Sequence, residues 1–246
     1  MSNILETFFK AFTSPTNYGE MLKKLSSIAF YEVYFIILIL RGFPEIDDAF
    51  KSIESFGVLK HLIENFPLLG KINAAGFLIA ILVALISHIS NLHDKISDLI
   101  GIRELFDCKH IAFPLARLVG APLTRDQRAE FRADRDHLMR IIFYRYASSR
   151  AENPVVDKHD IQHALSNWTW FWVCVEGAFY FAVTALLLTF AGPFQVGGCF
   201  YLASVALILL GWAQYSRLPG YARAQFEQIA DNPQAALEIR AAFNAL

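Results

Sequence analysis

The stretch Trp168–Phe190, WTWFWVCVEGAFYFAVTALLLTF, decides the fold. It runs for twenty-three residues with one charged side chain, Glu176. A helix rises about 1.5 Å per residue and needs roughly 20 residues to cross the hydrocarbon core of a bilayer. This run meets that length. Its tryptophans, Trp168, Trp170 and Trp172, cluster at one end, where an interfacial aromatic belt belongs.

Three further apolar runs lie outward from it: Phe194–Tyr215, Ile72–Ile89, and Ser27–Leu40 extended at its start by Leu25. Phe194–Tyr215 is long enough on its own. The other two reach a span only by recruiting flanking residues. The chain of 246 residues is 55% hydrophobic, and its 18% of charged residues falls below the roughly 25% usual for a soluble domain. No strand alternation and no internal repeat is visible. The expected fold is therefore all-α: a polytopic membrane protein with four transmembrane helices and a helical cytoplasmic region. The first run is too late in the chain, and too lacking in a small-residue cleavage site, for a cleaved signal peptide.

Lys and Arg near the ends of the runs predict the orientation. Lys23 and Lys24 precede the first run, while Lys95, Arg103 and Lys109 follow the second. Arg150 and Lys158 precede the third, and Arg217 and Arg223 follow the fourth. The positive-inside rule then places both termini and the 92–166 segment in the cytoplasm; the expected location is the bacterial inner (cytoplasmic) membrane. On this reading residues 1–24 form a cytoplasmic amphipathic N-terminus, with Ile4–Phe12 against the inner membrane face. Residues 25–91 hold the first two spans and an external loop. Residues 92–166 form a helical cytoplasmic segment, 167–216 the last two spans, and 217–246 a helical cytoplasmic tail.

Local signals divide these regions further. Phe56, Leu59, Leu62, Ile63 and Phe66 recur at helical spacing and predict one amphipathic helix before Pro67. The second span is expected to continue as helix to about Phe106. Pro114 reads as a helix start and Gly120 as a stop. Thr124 and Gln127 make a capping box for a long helix to about Arg150, ended by Asn153–Pro154. Asp157 caps a helix that runs into the third span, and Asn232–Pro233 starts a helix in the tail.

Ionisable residues inside the spans are the first functional candidates. Glu32 and Glu176 each lie roughly 10–13 Å along their helices from the cytoplasmic side, and His88 lies one or two turns shallower. This intramembrane polar set can line a cavity as a cation site, proton relay or gate. Alternatively, its members hydrogen-bond between helices and fix packing.

Four arginines, Arg125, Arg128, Arg132 and Arg135, form a stripe at 3,4,3 spacing with Asp126, Glu130, Asp134 and Asp136 interleaved. They offer either a salt-bridged face or a cytoplasmic surface for a nucleotide, a headgroup or a protein. His159 and His163 stand at i and i+4, the spacing that chelates zinc, but the zincin glutamate is replaced by Asp160 and no third ligand is identifiable. Arg132 to His137 is similar to the RxxxxH spacing of HEPN ribonucleases, with Ala133 where those enzymes favour a polar residue. Asp94 and Asp98 resemble the paired aspartates of intramembrane prenyltransferases, with Asn91 one residue out of register. Cys108, Cys174 and Cys199 lie far apart and form no CxxC, so they predict neither a disulfide framework nor a zinc cage, and no cofactor is expected.

A net charge of −1 gives no reason to expect duplex nucleic acid as a partner. The expected partners are the lipid bilayer, further copies of the chain, and a cytoplasmic protein or nucleotide. Four helices are too few to enclose a wide pore alone. The leading expectation is a homo-oligomeric channel or membrane-perturbing effector, controlled by its cytoplasmic helices. Its layout resembles small membrane effectors of bacterial antiphage defence, although no residue motif carries that likeness. The alternatives are a membrane scaffold or sensor that recruits a soluble partner, and a metal-dependent membrane enzyme using His159 and His163.

Overall fold

The computed structural model describes residues 14–66, 73–148, 155–191 and 194–246. Ile4–Phe12, Pro67 and Asn153–Pro154, all used in the reading above, lie outside them. Every regular element is a helix, and no strand occurs among the described residues. Two stretches are long and apolar enough to cross a membrane, Lys158–Ala191 and Gln195–Asp231. Up to four cross if each of two broken helix pairs makes one span: Tyr18–Leu40 with Pro44–Glu54, and Ala74–Ile89 with Leu92–Ile100.

In chain order the first four helices are α1 (Tyr18–Leu40), α2 (Pro44–Glu54), α3 (Gly57–Asn65) and α4 (Ala74–Ile89). They are followed by α5 (Leu92–Ile100), α6 (Ile102–Phe106), a π-helical turn at Asp107–Ala112 and α7 (Phe113–Leu118). Next come α8 (Arg125–Ala133), α9 (Arg135–Met139) and a second π-helical turn at Arg140–Tyr144. The last four are α10 (Lys158–Ala191), α11 (Phe194–Tyr215), α12 (Leu218–Asp231) and α13 (Pro233–Asn244).

Three expectations are corrected. The second span does not continue as one helix to Phe106: α4 ends at Ile89, Asn91 takes a positive φ of 50°, and Gly101 breaks the chain again at 62°. The helix that starts at Thr124 does not run to Arg150: α8 ends at Ala133, and the chain widens into the π-turn at Arg140. The loop after α1 holds two helices rather than one, because Pro44 starts α2 ahead of the expected α3.

The caps read from sequence are present. Thr124 accepts from the Gln127 amide while the Gln127 side chain accepts from the Thr124 amide, at 3.3 and 3.0 Å. Asn232 accepts from the Ala235 amide and Pro233 fills the first turn of α13. Asp157 accepts from the His159 amide, and α10 then runs unbroken into the third apolar stretch.

The chain divides into two compact units. Among the described residues, unit one comprises 14–22, 93–148, 155–172 and 210–246, and unit two comprises 23–66, 73–92, 173–191 and 194–209.

Unit two buries Ala29, Val33, Ile37, Ala80, Tyr180 and Leu188 in one core. Small residues bring its helices close. A Cβ on Gly76 would meet Ile37 Cγ2 at 2.7 Å, so α4 approaches α1 only because that position is glycine. At one end of this unit Arg41 donates to Asp47 and Glu54 at 2.6 and 2.8 Å, tying α1 to α2. Away from the core, Phe190 and Leu202 are 82% and 72% exposed, as lipid-facing side chains of a membrane bundle would be.

Unit one packs α12 and α13 against α7 and the two π-turns. Phe131, Met139, Ile142, Leu218, Ile229 and Ile239 are fully buried there.

Candidate functional site

Unit two brings Glu32 and Glu176 together. Glu176 stands on α10 and is 3% exposed. Its neighbour Gly177 opens the space for Glu32 of α1: a Cβ at Gly177 would meet Glu32 Oε1 at 2.9 Å. The two carboxyls are close enough to act on one another electrostatically. Nearby on the same face of α10, one turn on, Tyr180 donates to Ser87 of α4 at 3.2 Å. His88 is exposed and pairs through Nδ1 with Ser26 at 3.1 Å, so it is placed apart from the glutamates.

The arginine stripe is divided among different jobs. Arg125 is exposed. Arg128 lies over the Phe113 ring at 5.2 Å, with its buried Nε lacking a hydrogen-bond partner among the described residues. Arg132 approaches Glu104 at 3.9 Å. Arg135, beyond the break at Asp134, reaches Asp107 at 3.6 Å and Asp136 at 2.6 Å. Only Asp136, of the four interleaved acids, pairs with a member of the stripe among the described residues.

His159 and His163 face each other with their Nε2 atoms 3.0 Å apart. Asp160 points elsewhere: it accepts from Gln228 of α12 and holds α10 to that helix, so it is not placed as a base. Among the described residues no three His, Cys, Asp or Glu side chains converge on a point that could hold a metal ion.

Sequence reasoning missed a cavity of about 550 Å³ within unit one. Its apolar wall includes Phe106, Phe143, Leu165, Trp168, Trp172 and Leu218. Trp168 meets Phe106 edge to face at 4.7 Å and lies nearly parallel to Trp172. His93 packs on Trp172 at 4.0 Å. The polar part includes Tyr18, Arg103, Asp107, Asp136, Arg140 and Tyr144.

Within that polar part, Tyr144 reaches both Asp107 oxygens at 3.4 Å, and Arg103 lies over the Tyr18 ring at 5.7 Å. Burial pushes the Asp107 carboxyl up to about 6, despite the opposing pull of Arg135, Arg103 and Tyr144. Burial also pushes the Tyr144 hydroxyl up, so it stays protonated and able to donate. An aromatic wall with a few polar groups is the usual make-up of a small-molecule site. The sequence carried no signal that sets Arg103 and Asp107 apart, because Glu104, Lys109 and His110 stand beside them as further polar residues.

A family model, the YmfE protein family, matches residues 17–245. No curated protein and no solved structure matches. The chain belongs to the YmfE protein family.

Proposed function

We propose that this YmfE-family chain is a four-span protein of the bacterial cytoplasmic membrane, which assembles with copies of itself and conducts ions or protons. Unit one is its cytoplasmic, signal-receiving part. The observation that carries the reading is the juxtaposition of Glu32 and Glu176 from two helices within unit two, beside Gly177.

Two ionised carboxylates at close range repel, and in a low-dielectric bundle water does little to screen them. A proton or a cation between them relieves that repulsion. An ionisable pair at such a position therefore suits a conducting path better than plain helix packing, which serine, threonine or asparagine would serve at lower cost. The exposed apolar surface of unit two supports both lipid contact and self-association. Orientation rests on the Lys and Arg flanking each run.

The test is flux through the full chain reconstituted in liposomes, measured with a pH-sensitive dye and with K⁺ and Na⁺ gradients. The wild-type chain conducts above empty liposomes. Glu176→Gln and Glu32→Gln change that flux by ~10-fold or more at equal incorporated oligomer, because each removes a carboxylate from the path. Flux at the level of empty liposomes, or variants that conduct like the wild type, would reject the proposal.

A further inference from the structure

The polar part of the unit-one cavity holds more hydrogen-bond donors than acceptors. A guanidinium carries five N–H donors and no acceptor. Arg103 and Arg140 both line the cavity. The closest carboxylate to Arg103 is Asp94, a single approach at 3.7 Å. Its other contacts are the Tyr144 hydroxyl and the Tyr18 ring. The Arg140 side chain makes no ion pair or hydrogen bond among the described residues. The two cavity carboxylates are already engaged. Asp136 pairs with Arg135 at 2.6 Å, and Asp107 faces both Arg135 and Tyr144. An incoming cation would have to compete with Arg135 for them. An incoming anion would find donors to spare.

The rest of the cavity selects what the anion is attached to. Phe106, Trp168 and Trp172 line it together, with the two indoles only 17° from parallel. Flat rings pack against such a wall in offset or edge-to-face contact. The volume of about 550 Å³ suits one small molecule.

We propose that this cavity binds a small aromatic anion, a carboxylate or phosphate carried on an aromatic ring system. Arg103 and Arg140 take the anionic group, and Trp168, Trp172 and Phe106 take the ring. The inference rests on the reading of unit one as the signal-receiving part, and it names the class of signal. Free aryl carboxylates and nucleoside monophosphates share this chemistry.

Equilibrium dialysis of the full chain in lipid nanodiscs, with empty nanodiscs subtracted, tests it. The probes are 2-naphthoate, its neutral isostere 2-naphthamide, adenosine monophosphate and dodecanoate. Saturable binding of 2-naphthoate is expected, with 2-naphthamide weaker by ~10-fold or more, since a guanidinium–carboxylate pair is lost. Arg103→Gln with Arg140→Gln should erase that preference. Ala164→Phe, which fills the cavity without changing its charge, should abolish binding.

Adenosine monophosphate binding tighter than 2-naphthoate would identify a nucleotide as the source, and the reverse order an aryl carboxylate. Equal binding of 2-naphthoate and 2-naphthamide would overturn the anion assignment. Tightest binding of dodecanoate would overturn the aromatic one, and no saturable binding of any probe would overturn both. The comparison of the two naphthyl probes needs only the wild-type chain, so a variant that fails to fold leaves the proposal testable. Dialysis reads binding without ion flux, which keeps a failure here distinct from a failure of conduction.

Discussion

Asp107 is 5% exposed and faces Arg135, yet its carboxyl is pushed from 3.8 up to about 6, because burial outweighs the pairing. A folded-state value above the unfolded one means that the folded chain holds the proton more tightly. The resulting stability is present below about pH 4 and lost as pH rises through about 6. A shift of this size corresponds to on the order of 3 kcal/mol. The melting temperature of the wild-type chain should fall across this window, and Asp107→Asn should flatten the fall. An unchanged slope in the variant would show that Asp107 is not buried as described. A second prediction concerns Gly177, where a Cβ would stand 2.9 Å from Glu32 Oε1. Gly177→Ala must displace the end of that flexible side chain, so it should alter flux in the same direction as Glu32→Gln while the oligomer still assembles. Flux like that of the wild type would separate Glu32 from the conducting path.

At the scale of elements, helix starts were legible and helix interruptions were not. The Thr124–Gln127 box closes as expected because both partners are three residues apart and need nothing else to meet. Thr124→Ala should cost about 1 kcal/mol, measured as a lower midpoint in a denaturant titration of the chain in detergent. The break at Asn91 carries no such mark. Its neighbours contain neither glycine nor proline, and asparagine enters the left-handed region with little penalty. The π-turns at 107–112 and 140–144 are also silent in composition, since a wider turn uses the same residues as an α-helical one. The Glu32–Glu176 pair was visible as two acids at matching depth. The cavity was not, because its lining is drawn from residues as far apart as Asn17 and Gln225, which no local pattern links.

For the whole molecule, the functional account depends on how many times the chain crosses the bilayer. Lys158–Ala191 and Gln195–Asp231 are sufficient on their own, whereas α1 and α4 qualify only with the helices that follow them. If α1 does not cross, Glu32 and Glu176 do not form an intramembrane pair. Side-specific labelling of single cysteines decides this, in a full-length chain with Cys108, Cys174 and Cys199 replaced by serine. Three exposed positions serve: Ser55→Cys after α2, Lys158→Cys at the start of α10, and Ser216→Cys after α11. With an impermeant maleimide, Ser55→Cys should react only from the outer face of the membrane, and Lys158→Cys and Ser216→Cys only from the cytoplasmic face. Labelling of all three from the same face would contradict the four-span account and the conducting path built on it.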